Sequence, residues 1–130
     1  MLKLENIKGE QSMDVLAEII DPMMAIAADE KAADLFGRKV LPEGMTVKEF
    51  VLLRIRKSMP ELLRTHKTDL VKILSILSEM TEAEYLEQLT FDRLLLDLTD
   101  LILDPVFNAF FTMPQSMETS SGSASANTTE

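Results

Sequence analysis

Apolar and polar residues alternate along this chain with a helical period almost throughout. Leu2, Leu4 and Ile7 precede Gly9 as a brief lead-in too short to predict a strand. From Ser12, residues Val15, Leu16, Ile19, Ile20 and Met23 fall on one face of a 3.6-residue period and predict a first helix. Asp21-Pro22 reads as a cap followed by a first helical position, so that either a new helix starts there or one helix kinks. The piece from Met23 to Phe36 is expected to stop at Gly37, read as a left-handed C-cap, and Arg38 to Met45, with Pro42 and Gly44, is read as a loop.

Two capping boxes punctuate the chain beyond that loop. Thr46-Val47-Lys48-Glu49 opens a helix with Val47, Phe50, Val51 and Ile55 on one stripe, ending near Lys57; Ser58-Met59-Pro60 is expected to break or kink it before Glu61, Leu62 and Leu63 resume. Leu70, Val71, Ile73, Leu74, Ile76 and Leu77 are apolar on more than one side, which predicts a central helix buried from two directions. Thr81-Glu82-Ala83-Glu84 is the second box and starts a short helix with Tyr85, Leu86 and Leu89. Thr90 caps a helix striped by Phe91, Leu94, Leu95, Leu98, Leu101 and Ile102. Asp104-Pro105 then begins a final turn or two holding Phe107, Phe110 and Phe111. From Pro114 to Glu130 the chain is almost free of apolar side chains and is expected to be disordered.

The predicted architecture is therefore all-α: a compact single-domain bundle of five to seven short helices over residues 1–113 with a polar tail over 114–130. Composition reinforces it. Aromatics make up only 5% of the chain, Trp is absent, and Leu, Ala, Glu, Lys and nine Met favour helix over sheet. A domain of that length hides roughly 65% of its unfolded surface, enough for a core without metal or disulfide staples. With no cysteine there is no disulfide framework and no thiolate chemistry. No stretch approaches the roughly 20 apolar residues that span a bilayer, and Met1 to Glu5 lack a signal-peptide layout, so a cytoplasmic protein without membrane contact is expected.

The net charge of −9 is segregated: residues 1–47 carry −4, residues 48–72 carry +4 and residues 73–130 carry −9. An acidic chain with one basic segment suits protein partners or self-association better than nucleic acid. The basic residues Arg54, Arg56, Lys57, Arg64, Lys67 and Lys72 lack interleaved aromatics for stacking on bases and are read as a solvated or acid-pairing face.

Candidate chemistry is sparse. His66, the one histidine, sits among Arg64 and Lys67 with no activated nucleophile motif and is read as an exposed helix-end residue. Asp97, Asp100 and Asp104 could line one helix face as a divalent metal would require, but with no matching carboxylate helix they are read as a solvated face. Glu82, Glu84 and Glu87 are explained by the helix dipole. The scattered glycines form no phosphate-binding loop. Met13, Met23, Met24, Met45, Met59 and Met80 are read as core filler rather than an adaptable binding surface. No cofactor, metal or catalytic residue is expected. Phe107, Phe110 and Phe111 either staple the last helix to the core or form a partner-binding patch, and Arg54, Arg56 and Lys57 are candidate partner-binding cations.

From Thr46 onward the order of elements resembles the tail assembly chaperones of long-tailed, siphovirus-type bacteriophages and prophages of Gram-positive bacteria. The resemblance rests on Glu61-Leu62-Leu63-Arg64-Thr65-His66-Lys67-Thr68-Asp69-Leu70 leading into an apolar helix, and on Thr81-Glu82-Ala83-Glu84-Tyr85. It continues through Leu94-Leu95-Leu96-Asp97-Leu98-Thr99-Asp100-Leu101 and ends with Asp104-Pro105-Val106-Phe107 and Phe110-Phe111 before a polar tail. It implies a non-catalytic helical chaperone that coats the tape-measure protein, recruits tail-tube subunits, self-associates and leaves the finished tail. In many such families a longer form made by ribosomal frameshifting would extend from where the polar tail stands. A bacterial helical adaptor or regulatory subunit with an unrelated client shares the same compositional features.

Overall fold

The amphipathic stripes assemble as seven α-helices preceded by a 3-10 turn at Leu4–Asn6: α1 (Glu10–Ala27), α2 (Glu30–Ala33), α3 (Val47–Thr65), α4 (Lys67–Leu77), α5 (Glu82–Gln88), α6 (Phe91–Leu103) and α7 (Pro105–Ser120). This computed structural model describes residues 1–37 and 39–120, with side chains through Thr112. The disordered tail expected over 114–130 concerns residues whose side chains, and from 121 on whose placement, lie outside that description. Among the described residues there is no strand.

Local chemistry fixes most helix starts. Thr46 and Glu49 close a capping box at α3, with Glu49 N donating to Thr46 Oγ1 at 3.1 Å and Thr46 N to Glu49 Oε1 at 2.9 Å. Thr81 and Glu84 repeat it at α5, and Thr90 caps α6 by accepting from Arg93 N. These reciprocal bonds satisfy donors that a helix start otherwise leaves to water.

Tertiary burial overrides the two expected proline breaks. Pro22 lies inside α1 and Pro60 inside α3, and both helices run through them. A proline costs about 3 kcal/mol in a helix interior. Against that, α1 buries Val15, Ile19, Met23 and Ile26 on one stripe, each worth about 1.5–3 kcal/mol. Around Pro60, Ser58 and Leu62 are buried with Ile55 and Met59 packed on the core. The actual break follows Ala27: Asp29 caps α2 by accepting from Lys31 N and Ala32 N. Gly37 is likewise not a left-handed cap, for the positive-φ glycines are Gly9 and Gly44. The turn before Gly37 is closed by Arg54, whose Nη2 donates to the carbonyls of Asp34 at 2.7 Å and Gly37 at 2.6 Å.

As expected, α4 is central. It packs on α1, α3 and α5, and Leu70, Ile73, Leu74 and Leu77 are buried. The chain start is pinned beneath it by Leu2 N donating to the Leu77 carbonyl at 2.8 Å, and the 3-10 turn packs on α7. One cluster of buried residues from Val15 to Phe111 runs through the bundle.

Candidate functional site

An open apolar groove lies where α4, α5 and α6 meet. Leu70, Leu74 and Tyr85 form its buried floor, Leu63, Val71, Leu89 and Leu94 its half-buried walls, Leu86 stands exposed on its rim, and Lys67 is its one charged neighbour; its volume is about 280 Å³. Each of these leucines has a place in a helical stripe, but α5 is only seven residues long and cannot cover the whole width of α4. The uncovered apolar side chains are what a packed core would have to fill.

A buried polar pair fixes the floor. Tyr85 Oη donates to Asp97 Oδ2 at 2.6 Å, and Arg93 Nε donates to the same carboxylate at 3.2 and 3.3 Å. Burial, then the Asp97 hydrogen bond and its charge, push the Tyr85 phenol well above its ordinary range, so it is a fixed donor rather than an acid or base. The pair joins α5 to α6 across the intervening turn.

Asp97, Asp100 and Asp104 are therefore not the solvated face that their spacing suggested. Asp97 is held by Tyr85 and Arg93. Asp104 is also buried and caps α7: its Oδ1 accepts from Val106 N at 2.9 Å and Phe107 N at 3.1 Å, while its Oδ2 accepts from Leu4 N at 3.2 Å. Only Asp100 is exposed, and no three His, Asp or Glu side chains among the described residues are grouped to hold a metal ion.

His66 is also buried, contrary to its reading as an exposed helix end. It forms the joint between α3 and α4, with Nε2 2.8 Å from Asp29 Oδ2 and Nδ1 3.1 Å from Asp69 Oδ2. Burial works against the imidazolium, but the hydrogen bonds to Asp29 and Asp69 outweigh it and raise the His66 pKa above its ordinary value; the bond to His66 in turn lowers that of Asp29. A raised histidine pKa stabilises the fold fully below the unfolded value of about 6.5 and loses that contribution as pH rises through the folded value. The lowered Asp29 contributes above about pH 3.9 and is lost as pH falls through its folded value. The joint is thus strongest between about pH 4 and 6.5. Melting temperature should fall as pH rises from that window through neutrality, and His66→Gln should flatten that limb.

The candidate partner-binding residues separate. Phe107 and Phe111 are core: Phe107 is fully buried, its ring centroid 4.8 Å from that of Phe36 and 4.9 Å from that of Phe111. They staple α7 onto α2, so neither is available to a partner on this fold. Phe110 is half-buried, 5.3 Å from Phe111, and with Leu4, Ile7, Val15, Leu16 and Val106 borders a cleft of about 230 Å³. Arg54 is committed to the Asp34 and Gly37 carbonyls, whereas Arg56 and Lys57 are exposed. Met23 is core filler as read, but Met13 and Met24 are exposed.

Sequence reading missed the groove, because its residues carry the same helical pattern as core positions. It also missed the exposed leucines Leu52, Leu53, Leu95, Leu96 and Leu103 on the outer faces of α3 and α6. None of the described helices is long and apolar enough to cross a membrane. In comparisons with known protein families, curated proteins and solved structures, nothing matches this chain.

Proposed function

We propose that this chain is a non-catalytic tail assembly chaperone that holds amphipathic helices of a tape-measure protein in the α4–α5–α6 groove while tail-tube subunits are recruited. The observation that carries the reading is the groove itself. An open trough lined by Leu63, Val71, Leu86, Leu89 and Leu94 suits apolar side chains presented one helical turn apart, the pattern by which an amphipathic helix docks on another protein. Three segments of the resemblance, Glu61 to Leu70, Thr81 to Tyr85 and Leu94 to Leu101, each contribute lining residues to it. Burying such a helix gains about 25 cal/mol per Å² of apolar surface, and reversible release is compatible with so shallow a site.

Co-expression with the proteins encoded on either side of its gene, followed by pull-down, tests this. Capture of a long helical tape-measure protein or of a tube subunit is expected. Clean failure with both would favour a bacterial helical adaptor with an unrelated client. Leu86→Glu, at an exposed rim position, should cut capture by about tenfold or more while leaving the helical circular-dichroism signal and the melting temperature unchanged.

A further inference from the structure

The outer faces of α3 and α6 carry a second, separate pattern. On α3, Leu52 is 54% exposed and Leu53 40% exposed, with Arg56 and Lys57 exposed one turn further on. On α6, Leu96 is 64% exposed and Leu103 69% exposed, and Asp92 and Asp100 stand exposed one turn to either side of Leu96. Large apolar side chains standing in water beside charges of one sign mark a contact surface more readily than a solvated face. Among the described residues none of Arg56, Lys57, Asp92 and Asp100 is in an ion pair.

The two faces are complementary in sign and alike in layout, an apolar centre with charges one turn away. They also belong to the +4 and −9 segments of the chain. We propose that the chain self-associates, the basic outer face of α3 packing on the acidic outer face of α6 of a second copy. At the 8–10 Å axial separation usual for packed helices, roughly, Leu53 meets Leu96 and Leu103 while Arg56 and Lys57 reach the flanking carboxylates. Because Leu96 has an aspartate on both sides, α3 can approach α6 in either direction and still pair its cations. The two faces lie on different helices, so each copy that uses its α3 leaves its α6 free, and the contact propagates into a ring or filament unless two copies satisfy both contacts reciprocally.

This surface is distinct from the groove. Leu94 faces the groove, and Leu96 lies about 200° further round the same helix. Self-association can therefore fail while client capture survives, and the reverse.

The test is sedimentation velocity on the full chain over a range of concentrations at low and high salt, with two charge-reversed variants. Wild type should grow in mass with concentration and do so less at high salt. Arg56→Glu with Lys57→Glu, and separately Asp92→Lys with Asp100→Lys, should each weaken association by about tenfold or more, since like charges then oppose across the contact. An equimolar mixture of the two variants should regain it, because each reversed face now finds an opposite one on the other variant. Circular dichroism on each variant establishes that the helices are intact. A wild type that stays monomeric, a variant that associates like wild type, or a mixture that does not regain association would overturn the proposal.

Discussion

Phe107→Ala is expected to lower the free energy of unfolding by about 3–5 kcal/mol, read from the midpoint of chemical denaturation. The ring is fully buried between Phe36 and Phe111, at centroid distances of 4.8 and 4.9 Å, and sits on the first turn of α7 where Asp104 Oδ1 accepts its backbone N–H. Removing it opens a cavity bordered by two aromatic rings that cannot close without shifting α7 from α2. Since domains of this kind have a net stability of about 5–15 kcal/mol, the loss is a large fraction of the whole. A variant with unchanged stability and diminished partner binding would mean instead that the three phenylalanines form an interface.

Asp97→Ala is expected to cost about 1.5–3 kcal/mol, because it strips a buried Tyr85 hydroxyl of its acceptor as well as removing the Arg93 contact. Tyr85→Phe combined with Asp97→Ala should cost less than the sum of the two single changes, since with both polar partners gone no buried donor is stranded. The same pair secures α5 to α6, so Asp97→Ala should lower client capture together with stability. Leu86→Glu should lower capture alone. Thermal melts and pull-downs on the same four proteins separate these outcomes.

Legibility in the sequence depended on the distance over which each residue acts. Thr46 with Glu49, Thr81 with Glu84, and Asp104 with Pro105 act within one helical turn, and all three helix starts stand where their residues placed them. The central position of α4 was also legible, since apolar residues on two sides of a helix require neighbours on both. Pro22 and Pro60 misled because the penalty is local while the compensation comes from stripes buried against other helices. His66 looked exposed among Arg64 and Lys67, yet its Nε2 partner, Asp29, is 37 residues away. Asp97 likewise finds Tyr85 across a turn, and nothing in a 3.6-residue period distinguishes a carboxylate that meets a tyrosine from one that meets water. The choice between staple and patch for Phe107, Phe110 and Phe111 depended on where Phe36 lies, which only the packing of α2 against α3 and α1 determines. The groove was least legible, for it arises from the shortness of α5 relative to α4 rather than from any residue of unusual type.

The groove as a client site is tested most directly by placing a photo-crosslinking residue at Leu86 and irradiating cells that co-express the chain with the proteins encoded beside it. The expected result is an adduct with a long helical tape-measure protein that disappears when that protein is omitted. An adduct formed only with a second copy of this chain, or none at all, would contradict the assignment of the groove to the client.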